Sequence, residues 1–211
     1  PQWSKLTRPV IGMVHLKPLP GSPRFEGDWQ AVSDAALKDA QALIDGGVHG
    51  LMVENFGDTP FYPDQVPQHT IAHMTTITTR IRALSPELPI GVNVLRNDAQ
   101  AALAVAHAAQ AQFIRVNVLS GARLTDQGIV QGKAAELLRQ RKAWCSDTIR
   151  ILADLRVKHS AELAPVDLQQ EVHDLIHRAG ADALIITGSG TGNATPIELI
   201  QQVQQHSGET P

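Results

Sequence analysis

Seven polar side chains able to do acid–base or anion chemistry lie in or at the ends of five short apolar runs: His15, Glu54, Asn93, Arg115, Asn117, Asp154 and Lys158. Asp154 is suited to act as a general base or metal ligand, Lys158 to hold an anion or donate a proton, and His15 to shuttle protons near neutral pH. With Glu54 they make up the candidate catalytic set, while Asn93, Arg115 and Asn117 are candidate ligand-binding residues. Strand geometry puts residues i and i+2 on one face, so Arg115 and Asn117 point together. An arginine in an apolar strand must meet a carboxylate or stay wet, and Glu54 or Asp154 is the available anion. The competing reading is a buried ion-pair network that only plugs the interior. His15, Glu54 and Asp154 are three metal-capable groups on separate strands, which is too little to assign a metal. No metal or cofactor is specified.

A second feature is Thr187-Gly188-Ser189-Gly190-Thr191-Gly192, placed before a helix start at Thr195. Its glycines let backbone amides approach an anion, and the following helix N-terminus adds partial positive charge. Thr187, Gly188, Gly190, Thr191 and Gly192 therefore join the ligand-binding candidates, against the plain alternative of a connecting loop. The stretch Leu124 to Gly132 reads as a longer rim loop with Asp126 and Gln127, acting as a lid or only as a spacer. His69 and His73, and His173 and His177, stand four apart on helices without the pattern of a metalloprotease, and read as solvent-facing. Lys133, Arg139, Arg141 and Lys142 around Trp144 read as a solvated helix face rather than a lipid or partner patch.

The elements that position these groups recur as a unit: a short apolar run, then an amphipathic helix. The six runs are Pro9 to Leu16, Gly50 to Asn55, Ile90 to Asn97, Phe113 to Val118, Ile149 to His159 and Ala183 to Gly192. Their length and Val/Ile content predict strands buried on both faces, and alternation with helices predicts a parallel sheet. Helices are expected after Asp28, over Ile71 to Leu84 before Pro86, after Asp98, around Ala134 to Leu138, after Asp167, and after a Thr195-Pro196 capping box. Two architectures use such units, an open doubly wound sheet and a closed barrel. The first βα turn, His15-Leu16-Lys17-Pro18-Leu19-Pro20-Gly21, lacks the G-x-G-x-x-G of a dinucleotide turn. A polar residue at every strand end suits a barrel, whose binding site lies on that rim. The expectation is an α/β fold of TIM (β/α)8 type: residues 1–211 form one barrel domain of six βα units, lacking the last two of a full barrel of roughly 250 residues. Open edges on the first and sixth strands favour association, hence a homo-oligomer.

Composition narrows the classes further. A net charge of -3 offers no broad footprint for nucleic acid, and no apolar stretch of spanning length is present. The lone Cys145 forms no internal disulfide, and no secretory signal is visible, which points to a cytoplasmic compartment with peripheral membrane attachment left open.

Residues 9–23, Pro-Val-Ile-Gly-Met-Val-His-Leu-Lys-Pro-Leu-Pro-Gly-Ser-Pro, closely resemble the N-terminal signature of the BtpA/SgcQ family. Further matching stretches follow in order at 50–58, 91–98, 113–118, 125–129, 151–159 and 188–192, so the resemblance runs from about residue 8 to 200. It implies a ribulose-phosphate-binding type of barrel. For the BtpA branch it implies a role in biogenesis or stabilisation of photosystem I at the thylakoid surface, with photosystem I components or assembly factors as partners. The alternative function is a barrel enzyme acting on a small phosphorylated metabolite at the C-terminal rim of the strands, with a small anionic ligand. Whether the chain is an enzyme stays open at this point.

Overall fold

A computed structural model describes residue 6 and residues 8–188, 190 and 192–211. The chain divides into two compact units, Pro1–Ile114 and Arg115–Pro211.

The first unit alternates β1 (Ile11–His15), α1 (Trp29–Asp45), β2 (Gly50–Glu54), α2 (Gln68–Leu84), β3 (Ile90–Asn93), α3 (Ala99–Ala108) and the start of β4 (Phe113–Val116). β1 pairs β2, β2 pairs β3 and β3 pairs β4, all parallel. Every residue of β2 and β3 is buried, as an apolar run covered on both faces must be. Val14, Leu51, Val53, Ile90, Val92, Phe113 and Ile114 form the strand side of the core, and Ala40, Met74, Ile77, Ile81, Leu103 and Val105 the helix side. Close packing is visible at Gly91, where a Cβ would lie 2.1 Å from the Phe113 ring. Asp28 caps α1 by accepting from Ala31 N at 2.9 Å. Asp98 does more. One oxygen caps α3 at Ala101 N, and the other accepts from Val66 N in the preceding loop, both at 2.9 Å.

The second unit holds the end of β4, then β5 (Ala122–Thr125), β6 (Gly128–Gln131), α4 (Ala134–Ala143), β7 (Arg150–Leu155), β8 (Ser160–Glu162), α5 (Leu168–His173) running into a π-helical turn (Asp174–Arg178), β9 (Ala183–Ile186) and α6 (Ile197–Ser207). β7 and β9 pair in parallel, and β5 pairs antiparallel with both β6 and β8. Val118, Val130 and Val157 pack together as a small apolar cluster. Asp167 caps α5 at Gln170 N, 3.0 Å.

The six expected parallel strands are all present, but several end earlier than their apolar runs. β3 stops at Asn93 because the Asn55 amide takes over both polar groups of Leu95, accepting from its N–H at 2.7 Å and donating to its carbonyl at 3.4 Å. β7 stops at Leu155 because Arg156 turns to φ 57°, outside the strand region. Lys158 therefore lies in the turn between β7 and β8 rather than at a strand end. The expected rim loop over Leu124 to Gly132 is instead a hairpin, whose turn residue Gly128 has φ 94°. The capping box at Thr195 does not form: Pro196 itself is the N-cap of α6, extended at ψ 124°, and no side chain caps the helix. No helix among the described residues is long and apolar enough to cross a membrane.

Candidate functional site

In the second unit, Asp154 stands one residue before the end of β7, with its side chain fully buried. Arg115, third residue of β4, meets it as a fork: Nε donates to Oδ1 at 2.8 Å and Nη2 to Oδ2 at 2.9 Å. Asn117, just past β4, points the same way and donates from Nδ2 to Oδ2 at 2.7 Å. The shared face expected for Arg115 and Asn117 is thus expressed as a common partner, Asp154, which was one of the two candidate carboxylates. Planar guanidinium on planar carboxylate fixes both groups in orientation as well as charge. Three donors leave Asp154 one unused acceptor position, on Oδ1.

Two oxygens near these strand ends lack a partner among the described residues. Asn117 Oδ1 and Thr187 Oγ1 are both buried and make no hydrogen bond to them. Burying such an atom without a partner costs about 1–3 kcal/mol, so each calls for a physical reason. A small cavity of about 30 Å³ borders Asn117 and Asp154 and is also lined by Arg123, Arg156 and Glu171. Glu171 accepts from Arg156 Nε at 2.7 Å, and that bond holds the Arg156 pKa above its ordinary value. The glycine loop folds back on itself, with Asn193 N donating to Gly190 O at 3.1 Å. A Cβ on Gly188 would sit 2.3 Å from Asn193 O, so only glycine fits there. Gly192 takes φ 82°, while Thr191 lies outside the described residues.

In the first unit, the parallel register aligns His15 with Glu54 and Glu54 with Asn93, one row across three strand ends. Asn93 Nδ2 donates to Glu54 Oε2 at 2.6 Å. His15 Nε2 lies 3.6 Å from Glu54 Oε1, and its ring stacks on Phe56 with centroids 4.5 Å apart. Glu54 and Asn93 are buried whereas about half of the His15 side chain is exposed. A half-exposed imidazole braced by a buried carboxylate is a geometry that can pass a proton to a bound molecule. Of the seven predicted residues, His15, Glu54 and Asn93 come together in the first unit and Arg115, Asn117 and Asp154 in the second, where part-buried Lys158 lies in its turn.

Sequence reasoning missed Phe56 and the Arg123–Arg156–Glu171 group. The first follows Glu54 by two residues, a spacing that favours a shared side. The second is brought together by β5, α5 and the turn after β7, which no local pattern joins. The basic residues around Trp144 are partly spent: Arg141 pairs with Asp182 at 3.1 Å and Lys142 with Asp147 at 3.2 Å. His73 stacks on Trp29 rather than facing solvent alone, and the His173 and His177 rings lie 4.7 Å apart. Among the described residues, no three His, Cys, Asp or Glu side chains are placed to share a metal ion.

The sequence model of the BtpA family matches residues 6–210. A protein of Synechocystis named photosystem I biogenesis protein BtpA is 46% identical, over 96% of this chain and 70% of that protein. An uncharacterized protein of Thermococcus kodakarensis is 44% identical, over 95% of this chain and 75% of its own length. Among solved structures, 2,3-dimethylmalate lyase, a member of the PEP mutase/isocitrate lyase superfamily, superposes with a TM-score of 0.56 at 12% identity. That superposition covers 96% of this chain, which spans about 65% of the length of the lyase chain. At such identity the likeness shows the fold alone: α/β, of the TIM-barrel type.

Proposed function

This chain belongs to the BtpA family, and from that membership we propose that it is a ligand-binding barrel whose second unit takes a small phosphorylated metabolite at its strand ends. The observation that carries the reading is the pair of buried oxygens without partners among the described residues, Asn117 Oδ1 and Thr187 Oγ1. In this reading the Thr187 hydroxyl and the amides of Gly188 and Gly190 face the phosphate oxygens, and the start of α6 adds favourable partial charge. Asn117, oriented by Asp154, accepts from a ligand hydroxyl. Arg115 holds Asp154 fixed, and the remaining lone pair of Asp154 Oδ1 is the basic position available for proton abstraction. Lys158 supplies positive charge toward the bound anion, so the chemistry is acid–base rather than nucleophilic. In its own unit, His15 with Glu54 and Asn93 is the second proton-transfer group.

The test is calorimetric titration of the full chain with inorganic phosphate and ribose 5-phosphate. Saturable binding that weakens at least tenfold in Thr187→Val supports the reading. Absence of binding by either ligand, or a Thr187→Val chain that binds both as tightly as the native one, overturns it.

A second reading rests on the Synechocystis relative: the chain serves photosystem I biogenesis, peripherally at the thylakoid membrane, with photosystem I components or assembly factors as partners and as a homo-oligomer. Similar identity to the Thermococcus protein supports a barrel chemistry not confined to that role. Deletion of the gene in its source should lower photosystem I content relative to photosystem II under this reading, and unchanged 77 K fluorescence would refute it.

A further inference from the structure

Apart from both strand-end clusters, the first unit carries a cavity of about 280 Å³ walled by the loops that follow β1, β2 and β3 and by the first turn of α2. Its walls are fixed. Asp58 accepts from Leu19 N at 2.8 Å and from Asn55 Nδ2 at 3.1 Å, Asn55 clamps Leu95, Asp98 holds Val66, and Tyr62 O accepts from Arg96 N at 3.1 Å. A site held this firmly needs little ordering when a ligand enters. Pro23, Pro60, Phe61, Tyr62, Val66 and Leu95 give it a largely apolar lining, and its volume suits a compact metabolite rather than a nucleotide.

Three polar groups are set into that lining. Asp58 has used one acceptor position on each oxygen and keeps others for a donor. Burial is the main force on its carboxyl and pushes the pKa upward, which means that its negative charge is under-compensated within the protein. The Ser22 hydroxyl is buried with no partner among the described residues. His69 also lines the cavity, near Asp58 and in the first turn of α2, a helix of 17 residues with no side-chain cap. Its imidazole is pressed against Gly21, where a Cβ would fall 2.2 Å from Nε2. Gly21 also has φ 93°, so position 21 is closed to other residues on both counts. One small chamber therefore offers a carboxylate that can take a cation and, near it, a helix start and an imidazole N–H that can donate to an anion. A purely anionic ligand would be repelled by Asp58, and a purely cationic one by the helix start.

We propose that this cavity binds a small zwitterion of the α-amino acid class, its ammonium on Asp58 and Ser22, its carboxylate at His69 and the start of α2, and its apolar side chain against Tyr62 and the proline rings. The site is independent of the phosphate site in the second unit, so either can fail without the other.

L-Valine is the probe, with isovalerate as the analogue lacking the ammonium and isobutylamine as the analogue lacking the carboxylate. Calorimetric titration of the full chain should show valine binding at least tenfold more tightly than either analogue. Asp58→Asn should remove the advantage over isovalerate and His69→Ala the advantage over isobutylamine. Tyr62→Ala, at an exposed position that leaves the fold intact, should weaken valine severalfold. Absence of saturable valine binding overturns the proposal, as does an analogue that binds as well as valine. Because those comparisons use the native chain, they hold even where Asp58→Asn fails to fold.

Discussion

Arg115 and Asp154 form a bond whose value lies in what happens when half of it is removed. With the carboxylate fully buried and the guanidinium side chain 11% exposed, solvent contributes little to either charge. Asp154→Ala would remove the bidentate partner of a nearly buried cation and the acceptor of the Asn117 amide, and a loss of about 3–5 kcal/mol in urea-denaturation stability is expected. Replacing both partners by apolar residues of similar size, Arg115→Met with Asp154→Leu, should recover part of that loss, since the buried pair is then removed as a whole. An Asp154→Ala chain with the native urea midpoint would show that the pair is solvated in solution. The need of Arg115 for a carboxylate was readable from its place in an apolar run. Which carboxylate, Glu54 or Asp154, was not, because the choice depends on how far β4 and β7 run before they bend. The unpartnered oxygens of Asn117 and Thr187 were equally invisible: a missing partner is a property of three-dimensional surroundings, not of residue type.

At the scale of elements, the caps that were legible are those made within three residues. Asp28, Asp98 and Asp167 each accept from the N–H three positions on, a contact that sequence spacing states directly. The hairpin over residues 122–131 was not legible, since each strand has four residues and mixed polarity, below what a period-2 pattern can resolve. The second bond of Asp98, to Val66, was also hidden, because it joins residues 32 apart. That bond makes Asp98→Ala more costly than an ordinary cap removal. The expected loss is about 2 kcal/mol, the top of the usual range for N-caps, with faster amide hydrogen exchange at both Val66 and Ala101. Exchange that changes at Ala101 alone would mean that the loop is held by other contacts. Packing between β3 and β4 gives a further expectation. Gly91→Ala drives a methyl into the Phe113 ring and should cost about 1–3 kcal/mol in chemical denaturation. Phe113→Leu in the Gly91→Ala background should return part of it, a coupling that a backbone effect of alanine alone would not produce.

Across the whole molecule, stability depends on pH through groups whose proton affinity differs between the folded and unfolded chain, and two neighbours in the first unit act with opposite sign. Burial lowers the His73 pKa from its ordinary 6.5, and the nearby His69 lowers it further. Its stabilising contribution is therefore complete above about pH 6.5 and is lost as pH falls through the folded value. Asp58 runs the other way: burial raises its pKa from 3.8, so its contribution is present below that value and is lost as pH rises through the folded one. Between these windows the two effects offset, and a pH profile of the native chain alone does not separate them. His73→Phe does, since it keeps an aromatic ring against Trp29 while removing the titrating nitrogens. The difference in Tm between the native chain and His73→Phe should move against the native chain as pH is lowered from 8 to 5.5, because only the native chain must then keep an imidazole neutral while its unfolded form takes up a proton. A difference that stays constant over that range would mean that His73 titrates alike in the folded and unfolded chain, and that its packing against Trp29 leaves it fully hydrated.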